Sequence, residues 1–160
     1  MRIIVMSDSH GDFRSAESVI LRNLDADLFI HLGDGERDIN RFMLMHMELA
    51  DKIKRVCGNC DTNSMLPDTL VIPVQEHKIF AAHGHTCAVK FGLDVIKRQA
   101  AGSGCDIILY GHTHVRYNSY EDGFYIMCPG STSCPHDGLP PSFGTIDISP
   151  AGILTNIADV

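Results

Sequence analysis

The sequence predicts an α/β protein with a parallel sheet at its start, and three observations carry the prediction. Apolar, partly β-branched runs alternate with stretches of helical periodicity over the first sixty residues. Five of the runs stop at a short polar motif rich in glycine, histidine or aspartate. Beyond residue 60 the runs close up to hairpin spacing, which adds antiparallel strands.

In order along the chain, Arg2 to Ser7 is apolar and bounded by Asp8-Ser9-His10-Gly11, the pattern of a buried strand. Arg14 to Leu24 follows as a helix, with Ala16, Val19, Ile20 and Leu24 on one stripe. Asp27 to Leu32 is the second strand and stops at Gly33-Asp34. Asp38 to Leu49 is the second helix, and its methionines Met43, Met45 and Met47 read as core filler or a subunit contact. Ile53 to Cys57, closed by Gly58, is the third strand, and Thr69 to Val74 with Lys78 to Ala82 make a hairpin. Lys90 to Ala101 is a third helix that packs through Phe91, Val95, Ile96 and Gln99 to Ala101. Asp106 to Tyr110, Val115 to Tyr120, Phe124 to Cys128, Phe143 to Ile148 and Ile153 to Ile157 are the remaining strands. The one long irregular stretch, Ser131 to Ser142, reads as a surface loop with a task, gating a site or touching a second subunit.

A chain of 160 residues that is 44% apolar buries one substantial core, so residues 1–160 are expected to form a single domain. The net charge of −7, from 20 acidic against 13 basic residues without a Lys/Arg cluster, argues against stable nucleic-acid binding. Met1 leads straight into a strand, and no apolar run approaches the ~20 residues of a membrane helix, so a cytoplasmic protein without membrane attachment is expected. In that compartment Cys57, Cys60, Cys87, Cys105, Cys128 and Cys134 read as free thiols. Cys57 and Cys60 do form C-x-x-C, but no second pair completes a zinc site and the motif leaves a strand instead of opening a helix.

The chemistry concentrates in Asp8-Ser9-His10, Gly33-Asp34, Gly58-Asn59-Cys60-Asp61, His83-Gly84-His85 and Gly111-His112-Thr113-His114. Each follows a strand-like run, where open α/β sheets bind their ligands. Asp8 and His10 flank Ser9, a spacing that in an extended segment turns both side chains to one side, and His112 and His114 repeat it across Thr113. Gly33 allows a sharp turn and a close approach at Asp34, whose two oxygens can bridge cations. Asn59 offers an amide oxygen and His83 an imidazole. Asp8, His10, Asp34, Asn59, His83, His112 and His114 are therefore candidate metal ligands, of the donor types that divalent ions of intermediate hardness accept. Seven donors exceed one tetrahedral site, and two ions account for them. Two ions ~3.5–4 Å apart activate a water and clamp a phosphoryl group without a serine or cysteine nucleophile. Asn59, His85 and Asp61 are expected to serve the reaction itself, His85 by touching a phosphate oxygen and Asp61 by orienting a ligand from behind. His31, His46 and His77 stand alone on apolar segments and read as structural.

Taken together and in this order, the five motifs resemble those of the calcineurin-like metallophosphoesterases, in particular the small single-domain bacterial and archaeal phosphodiesterases. The match runs from residue 3 to about residue 130. The resemblance implies a four-layer αββα sandwich of two mixed sheets flanked by helices. It implies that Asp8, His10, Asp34 and His114 hold one divalent cation and that Asp34, Asn59, His83 and His112 hold the other, with Asp34 as the bridge. Manganese leads the candidate ions, followed by iron, nickel and zinc, and the partner is a small phosphoester attacked by metal-bound hydroxide. Two positions depart from the pattern. Many members carry histidine after the asparagine of the third motif, where this chain has Cys60. The subgroup tends to carry Asn-Pro-Gly-Ser followed by Pro-Arg, where this chain has Cys128-Pro129-Gly130-Ser131 and Pro135-His136. A phosphodiesterase is the leading reading; a phosphomonoesterase of the same fold and a non-catalytic metal-binding protein-interaction scaffold are the alternatives, and a homo-oligomer is a candidate assembly under each.

Overall fold

The computed structural model describes residues 1–160. Its first part runs β1 (Arg2–Met6), α1 (Phe13–Leu21), β2 (Leu28–His31), α2 (Glu36–Met45), a 3-10 turn over Met47–Lys52 and β3 (Ile53–Arg55). The second part runs β4 (Thr69–Val74), β5 (His77–Ala82), a 3-10 turn over Val89–Phe91, α3 (Asp94–Gly102), β6 (Ile107–Tyr110), β7 (Arg116–Glu121), β8 (Phe124–Pro129), β9 (Ser142–Ser149) and β10 (Gly152–Asp159). Two five-stranded sheets result, ordered β10-β9-β1-β2-β3 and β4-β5-β6-β8-β7. Each is mixed: β1, β2 and β3 are parallel, β9 runs against them and β10 runs against β9, while β5, β6 and β8 are parallel and β4 and β7 run against them.

Alternation along the strands builds the layers. Ile3 and Val5 of β1 point into the space between the sheets, where Ile30, Ile79, Ile107, Leu109 and Ile146 meet them. Ile4 and Met6 point the other way, onto Phe13, Val19 and Ile20 of α1 and Ile39 and Phe42 of α2. On the far sheet Phe80, Ile108 and Ile126 face Ile96 and Ala100 of α3. Strands covered on both faces need apolar residues at every position, which is why β1 reads as an unbroken hydrophobic run. The αββα sandwich expected from the resemblance is the fold of the chain.

All three helices differ from their sequence reading, the first by ending at Leu21, which leaves Leu24 exposed and off the packed stripe. The second ends at Met45, because His46 leaves the helical region (φ −132°, ψ 63°) and stacks its ring on Phe42 at 4.5 Å. Met45 and Met47 are then 56% and 75% exposed and fill no core. The third starts at Asp94 rather than Lys90, since Gly92 takes φ +143°, a value only glycine holds easily, and separates the 3-10 turn from the helix. Phe91 and Val95, read as packed, are exposed; Ile96 and Ala100 carry the contact.

Candidate metal centre

The parallel strands send their carboxyl ends to a common edge, and the loops leaving β1, β2, β3, β5 and β6 meet there. The means of convergence corrects the sequence reading. Asp8 (φ 56°), His10 (45°), Asp34 (57°), His112 (69°) and His114 (57°) all adopt the left-handed conformation, so neither the Asp8–His10 nor the His112–His114 pair is extended. A non-glycine residue pays roughly 1–2 kcal/mol for that region, and such residues cluster where function over-determines the backbone. The remaining left-handed non-glycine residues, Asn63, Gln75, Ala88 and Asp122, lie outside the five motifs.

Two buried or half-buried carboxylates hold these loops in place. Asp38 accepts from the Ser9 hydroxyl at 2.6 Å and from the Gly11 N–H at 3.0 Å, which fixes the Asp8–His10 turn. Asp61 accepts four main-chain N–H groups: Asp34 (2.8 Å), Gly35 (3.1 Å), Glu36 (2.9 Å) and Gly58 (2.9 Å). It orients Asp34 through the backbone, not by gripping an imidazole, and it also covers the N-terminal donors of α2. Gly58 is needed here, because a Cβ at that position would fall on Oδ1 of Asp34.

Each of the two candidate ligand carboxylates gives one oxygen to the scaffold and one to the pocket. Oδ2 of Asp8 accepts from the Ser7 hydroxyl and from the His112 N–H at 3.1 Å. Its Oδ1 is buried, accepts no hydrogen bond, and lies 3.1 Å from Nε2 of His114, 3.8 Å from Nε2 of His10 and 4.0 Å from Nε2 of His83. Asp34 repeats the division: Oδ1 accepts the Cys60 N–H at 2.7 Å, while Oδ2 lies 3.4 Å from Nε2 of His83 and 3.8 Å from Nε2 of His10.

The imidazoles are aimed in a matching way. His83 donates Nδ1–H to the Leu32 carbonyl and His114 donates Nδ1–H to the Cys134 carbonyl, both at 2.7 Å. A carbonyl only accepts, so these contacts assign the proton to Nδ1 and leave the Nε2 lone pair facing the pocket, the arrangement typical of metal-ligating histidine. Nε2 of His10 and Nε2 of His114 then stand 3.1 Å apart, and Nε2 of His83 stands 3.1 Å from Oδ1 of Asn59. Nε2 of His83 therefore meets the Asn59 oxygen as acceptor against acceptor, and the orphaned Asp8 oxygen lies beside the lone pair of His114. A divalent cation would satisfy the facing lone pairs and the orphaned carboxylate oxygen together, and the residues present fit it.

Electrostatics express the same demand for positive charge. Burial opposes the charged form of Asp8, but His114, His83 and the Ser7 hydroxyl outweigh it and hold the carboxyl below its ordinary range. Burial likewise opposes Asp34, and His83 with the Cys60 N–H overcomes it. Burial lowers His83, but Asp34 and Asp8 pull it up; Asp8 raises His114 directly. His112 goes the other way, lowered to about 4 by burial and by His83 and Lys90, so it stays neutral and able to donate a lone pair at neutral pH.

Of the seven expected ligands, Asp8, His10, Asp34, His83 and His114 fall into tight groups whose donor atoms lie within 4.8 Å of one another. Asn59 joins through His83. His112 stands farther out, its ring 5.0 Å from that of His83, and His85 lies beside both, at 5.3 Å from His83 and 6.1 Å from His112, with its Nδ1 shielded and unpartnered. Burial raises the Cys60 thiol, as does Asp34, which keeps it protonated and no nucleophile by itself. The Ser131 to Ser142 loop docks against the centre: the Ser131 and Ser133 hydroxyls donate to the Asp8 carbonyl at 2.7 and 3.1 Å, and His136 stacks on His114 at 4.3 Å. Sequence reasoning missed Asp38, which looked like an ordinary first-turn helix acid, and it marked Ser131 only as part of the Cys128-Pro129-Gly130-Ser131 motif and the edge of a loop, not as the hydroxyl that ties this loop to Asp8.

Comparison with known proteins places this geometry among relatives. The profile of the calcineurin-like phosphoesterase superfamily domain matches residues 1–151. The probable metallophosphoesterase YsnB of Bacillus subtilis is 30% identical over 136 residues, covering 84% of this chain and 77% of the relative. Phosphodiesterase YfcE of Escherichia coli K12 is 28% identical over 168 aligned residues, covering 92% of this chain and 88% of its own. The crystal structure of a conserved Streptococcus pneumoniae protein, itself a predicted phosphoesterase, superposes with a TM-score of 0.79 at 28% identity over 98% of this chain and 97% of that one. Vacuolar protein sorting 29 of Entamoeba histolytica, solved with zinc, shares the fold at a TM-score of 0.73 and 21% identity, covering 99% of both chains.

Proposed function

Because the chain belongs to the calcineurin-like phosphoesterase superfamily and is a metal-dependent phosphoester hydrolase, we propose that it cleaves phosphodiesters with two divalent cations gripped jointly by Asp8, His10, Asp34, Asn59, His83, His112 and His114. The observation that carries the reading is the buried, undonated Oδ1 of Asp8 facing three imidazole Nε2 atoms at 3.1 to 4.0 Å. When bound, such a pair supplies an activated water and neutralises charge on the phosphoryl oxygens. The chain's own contribution is orientation: Asp34 divides its oxygens between loop and pocket, His83 and His114 present lone pairs, and His85 stands beside His83 and His112 to meet a phosphate oxygen.

Cys60 stands where many family members carry a histidine thought to assist the leaving group, so esters with good leaving groups suffer least and diesters rank above monoesters. Hydrolysis of bis-p-nitrophenyl phosphate with added manganese, run beside the monoester p-nitrophenyl phosphate, tests this. Faster diester turnover that chelation abolishes is expected. The opposite rate order converts the reading to a phosphomonoesterase, and no turnover of either with metal bound converts it to a scaffold.

A further inference from the structure

One grouping in the pocket takes in a residue outside the seven ligands. Donor atoms of His10, Asp34 and Cys60 lie within 4.8 Å of one another. We propose that Cys60 Sγ is a further protein ligand of the cation held by Asp8, His10, Asp34 and His114, so that this position prefers a thiophilic ion such as zinc or cobalt. The proposal rests on the two-cation reading above.

Distances allow it. With sulfur at ~2.3 Å and nitrogen or oxygen at ~2.0–2.1 Å, neighbouring donors of a five-coordinate zinc lie roughly 3 Å apart at right angles and farther apart at wider angles. A separation of at most 4.8 Å leaves roughly 1–2 Å to close, which rotation of an exposed side chain can supply. The backbone that carries the thiol is already fixed, because the Cys60 N–H donates to Oδ1 of Asp34 at 2.7 Å. The sulfur is also steered: Nδ2 of Asn59 donates to it at 3.3 Å while Oδ1 of Asn59 faces His83. His10, Asp34 and Cys60 line a cleft of about 450 Å³ that gives an ion an entry path.

The chemistry balances without an oxidant. The thiol proton leaves to solvent as the metal–sulfur bond forms. Thiolate selects zinc, cobalt or iron over manganese, whereas the other position, with carboxylate, amide and imidazole donors, stays open to manganese. The neighbouring cysteines are differently engaged. Cys57 Sγ donates to the Gly58 carbonyl at 3.2 Å, and Cys134 offers its carbonyl to His114 while its sulfur accepts from Ser133.

Full-length protein loaded with cobalt(II) provides the test. The wild type is expected to show a sulfur-to-cobalt charge-transfer band in the near ultraviolet. Cys60→Ser and Cys60→Ala should lose that band while keeping bound cobalt and its visible ligand-field bands; Cys57→Ser and Cys134→Ser should keep everything. Competition titrations should show zinc bound at least ~10-fold more weakly by Cys60→Ala, with manganese affinity little changed, since even an outer partner of a metal ligand is worth that much. A wild type that binds cobalt without the band, or a Cys60 variant that retains it, overturns the assignment. Failure to bind cobalt at all overturns the two-cation reading instead, and the two failures are told apart by cobalt content.

Discussion

Loops leaving the β10-β9-β1-β2-β3 sheet bring Asp8, His10, Asp34 and Asn59 to the pocket, whereas those leaving the β4-β5-β6-β8-β7 sheet bring only imidazoles, His83, His85, His112 and His114. The two sides are locked differently. On the first, the charged clamps Asp38 and Asp61 seize hydroxyl and main-chain N–H groups. On the second, neutral carbonyls of Leu32 and Cys134 orient the rings, and serine hydroxyls tie the flanking loop to Asp8. One side therefore concentrates negative charge and needs strong donors to keep it; the other supplies direction at low electrostatic cost. A cation bound at this edge would meet both requirements.

The largest expected effect removes charge from the first side. On the proposed two-cation site, Asp34→Asn keeps the shape but removes the charge of the proposed bridge, so metal content should fall from two ions per chain to one or none. Diester turnover should fall by at least ~10³-fold, the upper range for loss of one preorganised charge-stabilising contact. Elemental analysis beside the p-nitrophenyl assay reads both. Two ions with near-normal turnover would remove Asp34 from the bridge and erase the division between the sides.

Next comes the charged clamp. Asp61→Ala leaves four main-chain N–H groups without their acceptor, and charge-assisted hydrogen bonds of this kind are the strong class. A loss of about 3 kcal/mol is expected in urea unfolding with chelator present. Because the loop that carries Asp34 loosens, added manganese should also raise the melting temperature less than in the wild type. An unfolding midpoint within error of the wild type would show that the clamp only decorates the turn.

The first side also contains an imidazole that takes no part in the pocket. His31 is fully buried, and burial lowers its pKa to about 4. A histidine depressed in the fold stays neutral there while the unfolded chain takes up a proton below about 6.5. Its stabilising effect is thus complete above pH 6.5 and is lost as pH falls toward about 4, by about 3 kcal/mol in all. Metal-free wild type should lose stability across that window, and His31→Gln should show a flatter slope there.

The layers and the identity of the pocket residues were legible because they depend on simple regularities. An unbroken apolar run such as Ile3-Ile4-Val5-Met6 marks a strand covered on both faces, and five polar motifs after such runs mark one edge of the sheets. The path by which the ligands converge was not legible. Local spacing suggested extended pairs, and only the completed network of Asp38, Asp61 and Ser131 supports left-handed turns at Asp8, His10 and Asp34. Helix ends failed for a similar reason: periodicity carries past Met45 and begins before Asp94, while a stacked ring at His46 and the backbone of Gly92 decide where the turns stop.

The smallest effect belongs to the neutral clamp on the imidazole side. The Ser131 hydroxyl donates to the Asp8 carbonyl at 2.7 Å and accepts the N–H groups of Ser133 (3.1 Å) and Cys134 (2.7 Å), which sets the carbonyl that orients His114. Ser131→Ala removes all three contacts, yet each is neutral and the Ser133 hydroxyl still reaches the Asp8 carbonyl. A cost of about 1–2 kcal/mol follows, below that of Asp61→Ala, together with a modest weakening of metal binding through a loosened His114. Urea unfolding of the two variants side by side gives the ranking. If Ser131→Ala proves the more damaging, orientation rather than charge is the scarce quantity in this pocket, and the weight assigned to the two sides must be exchanged.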